Sequence, residues 1–324
     1  MSYLVMKFGG SSLQDAARME NAARIAMEAR QAGSKVVMVV SAQGKTTDRL
    51  VQQAHAVGCP DPRERDALLC TGEQISAALT AMYIGKLGGK ARSLSGWQAG
   101  IRAEGPFGDG DVTAVDTGLL RQLCGDGIIP VVTGFQGITA AGELITLGRG
   151  GSDTTAVELA RALGAVICRI YTDVCGVYSA DPAKVPGAIR HKLLDYDVMD
   201  KLARAGAKVL HGKAAVAARE HSVPLQICSS LVPGDQGTYI RRDAPRLPVA
   251  GVTCHALPED GGLHRLTVVG RDADTPSFLV RLERGLAEAG ICGMPLGGDD
   301  LCRWALIPAE KADAALRAVH REFF

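Results

Sequence analysis

The chain has no apolar run approaching the roughly 18–20 residues of a membrane span and no excess of charge of either sign. Its 36 basic residues stand against 35 acidic ones, a formal charge of +1. A nucleic-acid surface would need a basic stripe, so no nucleic-acid partner and no membrane are expected. The nine cysteines, at 59, 70, 124, 168, 175, 228, 254, 292 and 302, contain no C-x-x-C pair. Neither a zinc site nor a thioredoxin-like motif is signalled, and most read as small buried hydrophobes. No metal site built from protein ligands is expected. Met1–Lys7 enters a strand-like run at once, leaving no room for a signal peptide, so the expected compartment is the cytoplasm. There is no internal repeat, no low-complexity tract, no G-x-x-x-x-G-K-[ST] loop and no H-R-D catalytic loop.

What is present is ample core material. Hydrophobic residues make up 47% and charged residues 22% of 324 positions, enough for two domains. The first part of the chain alternates short β-rich runs with longer amphipathic stretches, predicting an α/β sandwich with a mainly parallel sheet. Leu4–Phe8 reads as a strand ending at Gly9-Gly10, after which Ser11 or Ser12 caps a helix running to about Gln31. Lys35–Val40, Ile128–Thr133 and Val166–Thr172 read as apolar strands, and Asp66–Ile84 as a helix. Gly148–Gly151 is a turn opening a helix from about Ser152 to Leu163, stopped by Gly164. Polar and glycine residues recur just after strands, where α/β folds place their ligands.

Pro233, Gly234, Gly237, Pro245 and Pro248 mark a linker. The expected organisation is a domain over 1–232, a linker over 233–248 and a small α+β domain over 249–324. In that tail Arg265–Val269 and Leu301–Ile307 read as strands of a β-α-β-β-α module. Thr275-Pro276 opens a helix carrying Phe278, Leu282 and Leu286 on one face, and a second helix spans Ala309–His320.

Three motifs carry chemistry. In Lys7-Phe8-Gly9-Gly10-Ser11-Ser12, a lysine at a strand end precedes two glycines and a helix start. Glycines let backbone N–H groups approach phosphates, and the helix N-terminus adds about half a positive charge. A tight turn with a solvated lysine would look the same. Thr146–Ala156 sets Arg149 among three glycines ahead of Ser152 and Asp153. The planar fork of Arg149 suits a carboxylate. Asp153 cannot bind an anion itself, so it either holds a lysine such as Lys7 or is a plain N-cap. Tyr171–Pro182 ends a strand at Thr172-Asp173 and carries Tyr178, placed to pack on an adenine or simply exposed on a loop.

These motifs occur in the order seen in one family. Together with Ser41…Thr47, Thr71-Gly72-Glu73 and Gly206–His211, they resemble the aspartokinases of the amino acid kinase superfamily over residues 1–240. The tail resembles an ACT module, the small ligand-sensing or dimerising domain that family carries. The resemblance implies a three-layer amino acid kinase sandwich and transfer of the γ-phosphoryl group of ATP to the aspartate side chain. Lys7, Phe8, Gly9, Gly10 and Ser41 would line the nucleotide phosphates, and Thr172, Asp173, Tyr178, Ala183 and Lys208 would hold the rest of the nucleotide. Thr47, Glu73, Arg149, Gly150, Gly151 and Ser152 would hold aspartate, Glu73 taking its ammonium and Arg149 a carboxylate. Lys7 and Asp153 would be the catalytic pair, with Mg²⁺ held largely by ATP oxygens and water. No general base is needed, because the acceptor carboxylate is ionised near neutral pH.

Departures from the family pattern are visible. Its arginine after Asp-Pro is replaced by Ala183-Lys184, and the Pro-Arg after Lys-Val-Leu-His by Gly212-Lys213. The tail has room for one ACT module where two are usual. Pairing of modules must then occur between subunits, so a homodimer or larger homo-oligomer is expected. The alternatives are a kinase of another carboxylate, or a catalytically idle sensor of nucleotide or amino acid.

Overall fold

A computed structural model describes residues 2–58, 61–207, 209–257 and 262–324. The elements run β1 Tyr3–Phe8, α1 Ala16–Gln31, β2 Lys35–Val40, α2 Thr46–Val57, α3 Pro62–Lys86, β3 Ala91–Leu94, β4 Ile101–Glu104, β5 Asp111–Val115 and α4 Gly118–Gly125. Next come β6 Ile129–Thr133, β7 Gln136–Ile138, β8 Leu144–Thr146, α5 Gly151–Leu163, β9 Ile167–Thr172, β10 Leu193–Leu194, α6 Tyr196–Arg204 and α7 Gly212–His221. The remainder is β11 Leu225–Ser229, β12 Thr238–Ile240, β13 Gly251–Ala256, β14 Leu263–Val269, α8 Pro276–Glu288, β15 Leu296–Asp299, β16 Cys302–Pro308 and α9 Ala312–Phe323. Two compact units result: residues 1–175 with 216–236, and residues 176–215 with 237–324.

In the first unit the strands lie in the order β11-β9-β1-β2-β6-β3, every neighbour parallel. Side chains alternate between the faces of a strand. Leu4, Met6, Phe8, Val36, Met38 and Val40 therefore share one face, packed on Met19, Ala22 and Ala26 of α1 and on Ala77 and Ile84 of α3. Val5, Val37 and Val39, fully buried on the opposite face, lie on the side where α4 and α5 pack. This is the expected sandwich, and it puts Lys7 on the α5 side of the sheet. A second, small sheet of order β5-β4-β7-β8 closes over Ala103, Ile145 and Leu147.

Several boundaries differ from the sequence expectation, each for a local reason. Helix α1 starts after Asp15, whose carboxylate accepts from Arg18 N, while Ser11 and Ser12 lie in a one-turn 3₁₀ segment. Helix α3 begins earlier, with Asp61 accepting from Arg63 N and Pro62 in its first turn. Thr47 lies in the first turn of α2 instead of in a bare turn. The N-cap of α5 is Gly150, at φ 73, so Ser152 and Asp153 sit inside the first turn and neither caps it.

The second unit pairs β10 with β12 in parallel and builds an antiparallel sheet of order β13-β14-β16-β15. Its core joins Val252, Leu266 and Ile307 to Phe278 and Leu282 of α8 and to Leu316 and Phe323 of α9. Ala180 and Val185 enter the same core. His320 of α9 lies 2.8 Å from Ser179 Oγ, which also accepts from Ile189 N. Among the described residues no helix is long and apolar enough to cross a membrane.

Candidate active site

The site forms where β1, β2 and β9 end. Ser41 N donates to Phe8 O at 3.1 Å, Gly9 N to Tyr171 O at 3.1 Å and Gly44 N to Gly10 O at 3.0 Å. Gly10 lies against the turn after β2: a Cβ there would stand 2.7 Å from Ala42 O, so no side chain fits. Facing it is the Arg149 turn, whose Gly148 and Gly150 take φ of 74° and 73°, the left-handed region that favours glycine.

Lys7 Nζ lies 2.6 Å from Asp153 Oδ1, with both side chains nearly buried. The positive end of α5 adds to the field on Asp153. Glu73, on α3, is 3% exposed. Its Oε1 accepts from Ala42 N at 2.9 Å, and its Oε2 is buried without a hydrogen-bond partner among the described residues. Burial pushes its pKa up to about 7, against the opposing pull of the Ala42 N–H and of Lys7.

A cleft of about 1200 Å³ brings together Lys7, Ser41, Thr47, Glu73, Arg149 and Asp153, with Gly10 and residues 150–152 also on its walls. Other expected site residues lie elsewhere. Thr172 and Asp173 close β9, where the Thr172 hydroxyl donates to Asp173 Oδ1 at 3.0 Å. Tyr178 and Ala183 belong to the second unit. There Tyr178 bridges to Arg190 and Ala183 N donates to Asp181 Oδ1 at 2.9 Å. Lys208 lies outside the described residues. The ring of Phe8 is fully buried and stacks on Tyr171 at 4.6 Å, so it serves the core, and only its main chain reaches the strand end.

The cleft also contains groups that the motifs did not reveal. Lys45, Arg49 and Arg65 line it, giving it a positive character that no glycine-rich run announces. Asp66 lies just behind, 0% exposed. It stands seven residues before Glu73, the spacing that returns a helix to the same face, and that spacing was the available signal. Among the described residues no group of three or more His, Cys, Asp or Glu side chains is placed to hold a metal ion.

A parallel sheet whose strand ends carry a lysine and a glycine turn, with the arginine-bearing glycine turn after β8 on the same cleft, suits the binding and transfer of phosphoryl groups. The chain belongs to the amino acid kinase family, which matches residues 2–229, and its relatives place it among the aspartokinases. It is 41% identical over 293 residues to the aspartokinase of Mycolicibacterium smegmatis, a match covering 90% of this chain and 69% of that protein. Against the aspartokinase of Geobacillus stearothermophilus it is 45% identical over 274 residues, 83% of this chain and 66% of that protein. The chain thus spans about two thirds of the length of these relatives. Its fold is similar to that of Escherichia coli aspartokinase III solved with aspartate and ADP. There the TM-score is 0.83 over 99% of this chain and 100% of that one, at 20% identity.

Proposed function

We propose that the chain transfers the γ-phosphoryl group of ATP to the side-chain carboxylate of aspartate, forming 4-phosphoaspartate. This is the step that opens the aspartate-derived route to lysine, threonine and methionine. The observation that carries the reading is the Lys7–Asp153 ion pair in one cleft with Glu73 and Arg149. Glu73 presents a buried oxygen without a partner among the described residues, the acceptor an ammonium requires. Arg149 is exposed at the same cleft, offering a bidentate fork to a carboxylate. Thr47, Ser152 and the main chain at Gly150 and Gly151 complete the amino-acid half.

The chemistry asks little of the protein beyond placement and charge. The acceptor carboxylate has an ordinary pKa of about 4 and attacks as the anion. Lys7, held by Asp153, neutralises charge that builds on the transferring phosphoryl group, and the N-terminus of α5 contributes to the same field. Gly9, Gly10 and Ser41 line the phosphate end, and Thr172 and Asp173, where β9 ends, hold the rest of the nucleotide. The sparse acidic set around the cleft fits a Mg²⁺ that arrives with ATP, coordinated mainly by phosphate oxygens and water. When bound, that ion neutralises phosphate charge. The tail is an ACT-like module that pairs subunits, and the enzyme works as a homodimer or larger homo-oligomer in the cytoplasm.

Aspartate-dependent ADP release, with hydroxylamine trapping of the acyl phosphate, tests the reading. Aspartate should give both signals, and glutamate and shorter or longer analogues neither. Equal rates with glutamate, or no ADP release with any amino acid, would overturn it.

A further inference from the structure

Asp66 is a buried carboxylate that the proposed chemistry does not use. It is 0% exposed, and its Oδ2 accepts from two backbone donors, Gly108 N at 2.8 Å and Thr146 N at 2.7 Å. A buried carboxylate is costly unless its hydrogen bonds do something. Both donors belong to residues on the wall of the cleft. Thr146 is the last residue of β8 and leads within three residues to Arg149. The two segments also hold each other: Gly110 N donates to Thr146 O at 2.8 Å. Gly148 backs so closely on the 108–109 segment that a Cβ there would meet Asp109 Oδ1 at 2.4 Å. One oxygen of Asp66 therefore clamps, from beneath, the base of the turn that carries Arg149.

The same helix carries Glu73 two turns on. The rigid stretch of α3 from Asp66 to Glu73 thus spans from the Arg149 turn to the Ser41-Ala42 turn. We infer that Asp66 is a positioning residue that sets the Arg149 turn relative to Glu73, and with it the fit of the acceptor amino acid. This rests on the functional reading above, in which Glu73 and Arg149 hold opposite ends of that substrate.

The test combines kinetics with hydrogen exchange. Asp66→Ala should raise the aspartate KM by about tenfold or more while the ATP KM stays within about threefold, a split that lost uniform binding to one substrate produces. Asp66→Asn keeps an oxygen able to accept from both N–H groups and should restore both constants to within about threefold of wild type. If Asp66→Ala does not fold, Asp66→Glu, which displaces the carboxylate by a methylene, should show the same split. Hydrogen exchange should quicken in peptides covering 105–110 and 144–149 of the Ala or Glu variant and stay unchanged in α1. Equal loss for both substrates, no rescue by Asn, or unchanged exchange in those two peptides would overturn the inference. A wild-type protein that releases no ADP with aspartate would instead sink the functional reading, while the exchange result still decides the clamp.

Discussion

Ala42 N–H donates to Glu73 Oε1 at 2.9 Å, so the turn after β2 and helix α3 are tied through a carboxylate whose other oxygen is buried and unbonded among the described residues. Burial raises the Glu73 pKa from 4.5 to about 7. The ligand-free native state then binds a proton there that the unfolded chain has released. Stability consequently falls as pH rises from about 4.5 through about 7. Glu73→Gln should remove that slope, so ligand-free variant and wild type diverge in melting temperature most above pH ~7, with the variant the more stable. The same substitution should raise the aspartate KM by about tenfold or more, since an amide oxygen replaces a carboxylate facing an ammonium. Parallel melting curves across the pH series would refute the assignment.

Lys7→Ala should lower turnover by several orders of magnitude, because its charge is needed chiefly in the transition state. The fold should persist, as the core cluster on β1 is built from Leu4, Met6 and Phe8 on the other face of the strand. Retention of more than about a tenth of wild-type kcat, equivalent to ~1.4 kcal/mol, would show the role to be wrong.

Arg149→Lys preserves charge but loses the planar fork. The aspartate KM should rise far more than the ATP KM. Steady-state kinetics with each substrate varied in turn decide this, and an effect confined to ATP would move Arg149 to the nucleotide side.

Lysine and threonine should inhibit weakly or not at all. An effector needs groups for its ammonium and carboxylate and must favour one conformational state. In the passage from Cys292 to Gly298, Gly297 lies so close to Trp304 that a Cβ would meet its ring at 2.2 Å. Asp299, just beyond, is already engaged. Its Oδ2 lies 2.5 Å from Lys201 Nζ, and its Oδ1 accepts from Leu301 N at 3.0 Å and Cys302 N at 3.2 Å. Half-inhibition by either amino acid below ~1 mM, about −4 kcal/mol of binding, would reveal a working effector site.

Much of the first unit could be read from residue order because its signals are local. Lys35–Val40 is a strand at the boundaries its apolar run suggested, and Gly164 ends α5 in the left-handed conformation that glycine favours. The strand–glycine–helix grammar around Lys7 and Arg149 likewise needs only neighbours in sequence. The short strands β4, β5, β7 and β8 left no comparable trace, since with three to five residues each they depend on pairing partners for definition.

By itself the sequence determined the layered α/β class, the positions of the glycine turns and the residue types able to meet phosphate, ammonium and carboxylate. Only the tertiary structure decided which of them meet. Lys7 and Asp153 are 146 positions apart and touch because β1 and the start of α5 share one face of the sheet. Asp66 finds Thr146 through the packing of α3 against β8. Periodicity and turn chemistry act over a few residues, whereas a contact across the sheet depends on strand order and on which face each side chain takes, and a one-residue change of register would reverse that face.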